Sequence, residues 1–126
     1  MATESTGPDI TLPAGVDLST HQYKMVDIVP GTGRVILASV AGQRIIGVLQ
    51  DAPAVIGQSA RIRTGAGAIT KMVSSGVIAR GASLATTNVG TAATAALGNF
   101  IIGRALDAAV AGDIFRVLLQ PNGTSP

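Results

Sequence analysis

The only imidazole in the chain is His21, and Asp17 and Ser19 stand beside it in sequence. A serine, a histidine and an aspartate can act as nucleophile, base and orienting carboxylate, but only when a scaffold holds the three groups in line. Closeness along a polar stretch is not that geometry, and no G-x-S-x-G elbow occurs in the sequence. His21 is read as solvated or in contact with a partner. The carboxylates Glu4, Asp9, Asp17, Asp27, Asp51, Asp107 and Asp113 are well separated. A pair meeting in space would suit acid–base work. Gly31-x-Gly33 and Gly65-x-Gly67 lack the third glycine of a dinucleotide fingerprint, and Lys71 is out of register for a phosphate loop, so both read as turns. With one His and no Cys there is no metal constellation. No catalytic, cofactor-binding or metal residue is assigned, and no cofactor is expected. Arg61 and Arg63 fall on one face of a strand by its period of two. With Arg44 they form a candidate ion-pairing stripe for an acidic protein surface, the plain alternative being a solvated strand face.

The elements that carry these residues are partly duplicated. Residues 45–63 read IIGVLQDAPAVIGQSARIR and residues 101–118 read IIGRALDAAVAGDIFRVL. Ile45-Ile46-Gly47 matches Ile101-Ile102-Gly103, Asp51-Ala52 matches Asp107-Ala108, Gly57 matches Gly112 and Arg61 matches Arg116. Each copy is an apolar run, an acid-small-small loop closed by glycine, and a second apolar run, which is the pattern of two strands and a turn. A turn-forming role, with the carboxylate accepting backbone N–H bonds, explains Asp51 and Asp107 together.

Residues 1–21 are expected to be an extended N-terminal arm, either disordered alone or docked on something. Residues 22–119 are expected to be a β-domain containing the repeat, and residues 120–126 a polar tail. Short apolar runs separated by Pro30-Gly31, Ala41-Gly42 and Gly65-Ala66-Gly67 argue for short antiparallel strands, in an all-β small barrel or sandwich. Residues 82–98 are rich in Ala, Thr and Gly and show no strong periodicity.

The chain has 126 residues, 47% of them hydrophobic and only 13% charged, so its surface is poor in charge. It has no Trp, one Tyr and two Phe, which leaves the core to Val, Ile, Leu and Ala. Net charge is +2 with no basic run, which argues against nucleic-acid binding. No stretch reaches the roughly 18–20 apolar residues of a membrane helix, so no membrane partner is expected. The absence of Cys fits assembly in a reducing cytoplasm. Two runs, 45–49 and 114–119, are apolar on both faces, whereas a half-wet antiparallel strand alternates. Their outer faces need cover, from another subunit or from a loop or the arm. Ile46, Val48, Phe115 and Val117 are the candidate subunit-interface residues.

Four segments carry a resemblance: D-L-S-T-H-Q-Y-K-M-V-D-I from Asp17, R-V-I-L-A-S-V-A-G-Q-R-I-I-G-V-L-Q-D-A-P from Arg34, G-x-x-x-x-G-A-S-L-A-T from Gly76, and I-I-G-R-A-L-D-A-A-V-A-G-D-I-F-R-V-L-L from Ile101. In this order they resemble the capsid decoration, or cement, proteins of tailed bacteriophages, and more narrowly a small phage domain family long catalogued without a function. The resemblance implies a β-rich, non-enzymatic virion protein on the outer surface of the capsid, made in the host cytoplasm. It also implies the major capsid protein as partner and self-association, as a homotrimer in lambda-type relatives. A tail, baseplate or fibre-associated structural module is the alternative. An extended arm can add as a strand to a coat-protein sheet, with Ile10, Leu12, Val16 and Leu18 as candidate contacts. On that reading, removing residues 1–16 weakens capsid binding and leaves the domain folded.

Overall fold

Short β-branched and aliphatic runs cut by glycine turns build ten strands and no helix among the described residues. The computed structural model describes residues 9–121 and residue 123. Expectations for residues 1–8 of the arm, and for residues 122 and 124–126 of the tail, lie outside the described residues. The strands are β1 (Asp9–Pro13), β2 (Met25–Ile28), β3 (Val35–Leu37), β4 (Gly47–Leu49), β5 (Ser59–Arg63), β6 (Ile69–Val73), β7 (Ser83–Thr86), β8 (Ala92–Thr94), β9 (Gly103–Ala105) and β10 (Ile114–Leu119). They form two antiparallel five-stranded sheets, ordered β1-β5-β4-β2-β3 and β6-β10-β9-β7-β8. The second order is the first with every strand advanced by five. The duplication seen in residues 45–63 and 101–118 therefore runs through the whole fold.

Backbone hydrogen bonds repeat with the strands. A parallel bridge joins Ala14 to Val35 in the first unit, and one joins Ser74 to Ala92 in the second, so each sheet curls back on its first strand. Tyr23 N–H donates to the Leu49 carbonyl at 2.8 Å, and Gly81 N–H donates to the Ala105 carbonyl at 2.8 Å. Both residues sit in the left-handed backbone region, Gly81 at φ 86° and Tyr23 at φ 66°. That region favours glycine, and Tyr23 is the described non-glycine residue that enters it. The repeated aspartates behave as expected from their turn position. The Asp51 carboxylate accepts the Arg61 N–H at 3.1 Å, and Asp107 accepts the Arg116 N–H at 3.2 Å. Each ties its loop to the start of the returning strand.

Two apolar cores result. The smaller holds Ala14, Leu18, Val26, Val35, Leu49, Ala60 and Ile62, all from the first unit. The larger fills the second unit with Met72, Leu84, Phe115 and Val117, and also takes Met25, Ala38, Ile45 and Val48 from the first. Each fully buried Leu, Ile or Met side chain contributes about 1.5–3 kcal/mol. Neighbouring residues of β4 serve different cores, Val48 the larger and Leu49 the smaller. The two-sided apolar run at 45–49 is thus explained inside the chain: the second unit covers the outer face of the first. Polar links reinforce this contact. Met25 N–H donates to the Gly90 carbonyl at 2.8 Å, and the buried Gln50 amide donates to Thr70 Oγ1 at 2.8 Å.

From residue 9 onward, the expected arm is part of the first unit. Asp9 to Pro13 pair residue by residue with Arg63 to Ser59 on β5. Ala14 and Leu18 are fully buried in the smaller core.

Candidate functional site

The three residues that suggested a nucleophile do not come together as one. Asp17 accepts the Ser19 backbone N–H at 2.9 Å, and His21 Nδ1 lies 3.3 Å from the Lys24 ammonium. Burial first, and Lys24 second, push the His21 imidazole below its usual pKa, so the ring is neutral at pH 7. No group of three His, Asp or Glu side chains among the described residues is placed to hold a metal ion.

The candidate contact residues divide by burial. Leu18 is fully buried, so it supports the fold from within. Ile10 and Leu12 are half-buried on β1 and pack against the smaller core. Val16 is 39% exposed, in the stretch after β1. Ile46 packs against the smaller core, and Val48, Phe115 and Val117 lie in the larger one. Val48, Phe115 and Val117 are therefore corrected from subunit-interface to core positions. The physical reason is the second unit, which covers β4, and the alternation of β10, which turns Phe115, Val117 and Leu119 inward. Ile114, Arg116 and Leu118 of β10 point the other way, with Ile114 and Arg116 exposed. Sequence reasoning chose the wrong alternate set on β10. One cue was present: Arg116 is the charge in that run, and a period of two then puts Ile114 and Leu118 on its face.

The arginine stripe is split. Arg61 and Arg63 share the outer face of β5, and both reach Asp9 on β1. Arg63 Nε donates to Asp9 Oδ1 at 2.8 Å, and Arg61 Nε lies 3.4 Å from Asp9 Oδ2. Arg44 instead lies over the Phe100 ring, 6.0 Å from its centre. The pairing of Asp9 with these arginines escaped the sequence reading because it is set by the β1–β5 register, between segments far apart along the chain.

Between the units, beside β6, lies a cleft of about 230 Å³ lined by Tyr23, Gln50, Arg63, Ile69, Lys71 and Arg116 among others. Lys71 sits directly opposite Arg116 across the β6–β10 pair. Its ammonium is 5.8 Å from the centre of the Tyr23 ring. Arg116 forms a two-pronged pair with Asp107, both bonds at 2.9 Å. Elsewhere, Val55, Ile56, Val77 and Leu97 project aliphatic side chains into solvent. The low charge content thus shows itself as an open aliphatic surface. This geometry suits binding by shape, apolar cover and isolated charges.

No known family model matches the chain, and no curated protein matches it. Its backbone does have a counterpart. The chain shares its fold with the base of a phage head fibre. The structure described as the crystal structure of head fiber gp8.5 N base in bacteriophage phi29 superposes with a TM-score of 0.68, covering 94% of this chain and 98% of that one. Identity over the match is 16%, so the likeness is one of fold.

Arg116 side-chain hydrogen bonds, followed by its backbone N–H, hold Asp107 at a pKa of about 2, against an ordinary 3.8. Asp9 is lowered too, chiefly by the hydrogen bonds from Arg63. A lowered folded-state pKa means that the unfolded chain takes up the proton first. The stabilisation is therefore complete above pH 3.8 and is lost as the pH falls through about 2. The urea midpoint of the native protein should exceed that of Asp107→Asn at neutral pH, and the difference should shrink as the pH falls from 3.8 through about 2. A difference that stays constant over that range would mean that the Asp107–Arg116 pair does not form.

Proposed function

We propose that the chain is a structural protein of a tailed-phage virion, acting as a capsid decoration or cement subunit on the outer surface of the head. The observation that carries this reading is the fold shared, over nearly the full length of both chains, with the N base of a phage head fiber. The ordered resemblance to capsid decoration proteins supports the same class. In this role the protein makes no bonds and needs no cofactor. It binds the major capsid protein, bridges neighbouring coat subunits and self-associates, as a homotrimer. Many weak contacts between tethered subunits gain strength through effective concentration. The open aliphatic side chains at Val55, Ile56, Val77 and Leu97 are suited to such contacts.

A second reading is favoured by the description of the structural neighbour itself: the chain is the head-proximal base of a fibre. Electron cryo-microscopy of purified heads that encode the protein separates the two. Decoration predicts two-unit density distributed over the shell at local three-fold positions. A fibre base predicts the same density only beneath projecting fibres. Heads that lack the chain altogether would rule out both. Sedimentation equilibrium of the isolated protein should give the trimer mass, and a monomer at all concentrations would count against self-association.

A further inference from the structure

The outward side chains of β6 and β10 form a ribbon whose three cross-strand pairs read apolar, cationic, apolar. Val73 opposes Ile114, Lys71 opposes Arg116 and Ile69 opposes Leu118. Ile69 and Ile114 are 54% and 58% exposed. Like charges set directly opposite one another on a sheet repel. The fold does not require this arrangement, because the equivalent ribbon of the first unit avoids it. There Pro13 opposes Ser59, Thr11 opposes Arg61 and Asp9 opposes Arg63, and Asp9 pairs with both arginines. In the second unit Ile69 stands where Asp9 would be, and Arg116 turns aside to Asp107. Lys71 then meets no carboxylate among the described residues.

We infer that this ribbon is a docking face for an extended segment of a partner protein that presents one acidic side chain between two aliphatic ones at alternate positions. The partner's carboxylate does for Lys71 what Asp9 does for the arginines of the first unit, since Arg116 is already held by Asp107. Its aliphatic neighbours cover the Val73–Ile114 and Ile69–Leu118 pairs. Alternate residues of an extended chain share a face, so the spacing of partner and ribbon agrees. The cleft beside Lys71 gives the methylene stem of the acid an apolar wall of Tyr23 and Ile69. A free anion would leave both apolar pairs uncovered, and a nucleic-acid backbone would need a longer track of cations. The identity of the partner, a protein of the phage shell, rests on the function proposed above; the chemistry of the face does not.

The test is an NMR titration of the full chain with a blocked pentapeptide, valine-threonine-glutamate-threonine-valine. Its glutamine twin and inorganic phosphate serve as comparison probes. The glutamate peptide should give saturable shifts on β6 and β10 in the millimolar range, with the glutamine twin at least about tenfold weaker. Lys71→Glu should abolish them. Lys71→Gln should weaken peptide binding while keeping the amide spectrum of the native fold and a cooperative melt, which shows that the variant folds. The inference is overturned if the peptide moves no ribbon signal, if the glutamine twin binds equally, or if phosphate alone reproduces the shifts. Association of the full chain with purified heads is measured separately. Failure there sinks the proposed function, while the titration still decides the face.

Discussion

Gly47→Ala and Gly103→Ala are each expected to destabilise the protein by about 3 kcal/mol, and the double variant is expected not to fold. The two glycines occupy the same place in the two units, at the start of β4 and of β9. A Cβ at residue 47 would lie 2.5 Å from the Arg63 carbonyl oxygen and 2.7 Å from Ile62 Cγ2. A Cβ at residue 103 would press on the Leu118 carbonyl oxygen. In both units the obstacle is backbone of the neighbouring strand, β5 or β10, which cannot swing aside as a side chain does. Relief requires the strands to separate, and that breaks the pairing which places the cores. Gly31→Ala is the control, because a Cβ there meets nothing within 4 Å. Urea midpoints of the three single variants check the prediction. Equal, small losses at residues 31, 47 and 103 would mean that the close strand approach is absent.

Removing residues 1–16 is expected to destroy the cooperative melt of the first unit. The truncation takes away β1, the partner of β5 along its whole length. It removes Ala14 from the smaller core, together with the cover supplied by Ile10 and Leu12. It also strips Arg61 and Arg63 of Asp9. Losing even part of two aliphatic side chains and a strand partner costs at least about 3 kcal/mol. From the sequence alone the same truncation was expected to spare the domain. Circular dichroism during heating distinguishes the outcomes. A truncated chain that melts as sharply and as high as the full chain would show that β1 is dispensable. The substitution Leu12→Ser, which keeps the strand, should lower the Tm by less than the truncation does.

The repeat was legible only where chemistry demands particular residues. The second half of each unit needs glycine where strands approach closely, and an aspartate to hold the returning strand. Those demands keep Gly47 with Gly103 and Asp51 with Asp107 recognisable. In the first half of each unit the contacts that recur are backbone hydrogen bonds, which many side chains can accompany. Tyr23 and Gly81 make the same bond to β4 and β9 yet share no chemical character. Asp9 and Ile69 likewise occupy matching positions with opposite chemistry, so β1 and β6 did not announce their kinship. The Ala- and Thr-rich stretch 82–98 contains β7 and β8, whose small side chains leave little periodic signal.

Residue types alone established short antiparallel strands, the glycine turns, the aspartate-braced loops and a surface poor in charge. These follow from local conformational preference and from composition, which do not depend on distant parts of the chain. Only the tertiary structure decided which face of each strand is covered and by what. An apolar run such as 45–49 has no wet side to set its orientation, so Val48 and Leu49 were equally eligible for the core. Pairing across the chain resolved it: Leu49 fills its own unit, Val48 fills the junction with the second, and the outward side of β10 is left to Ile114, Arg116 and Leu118.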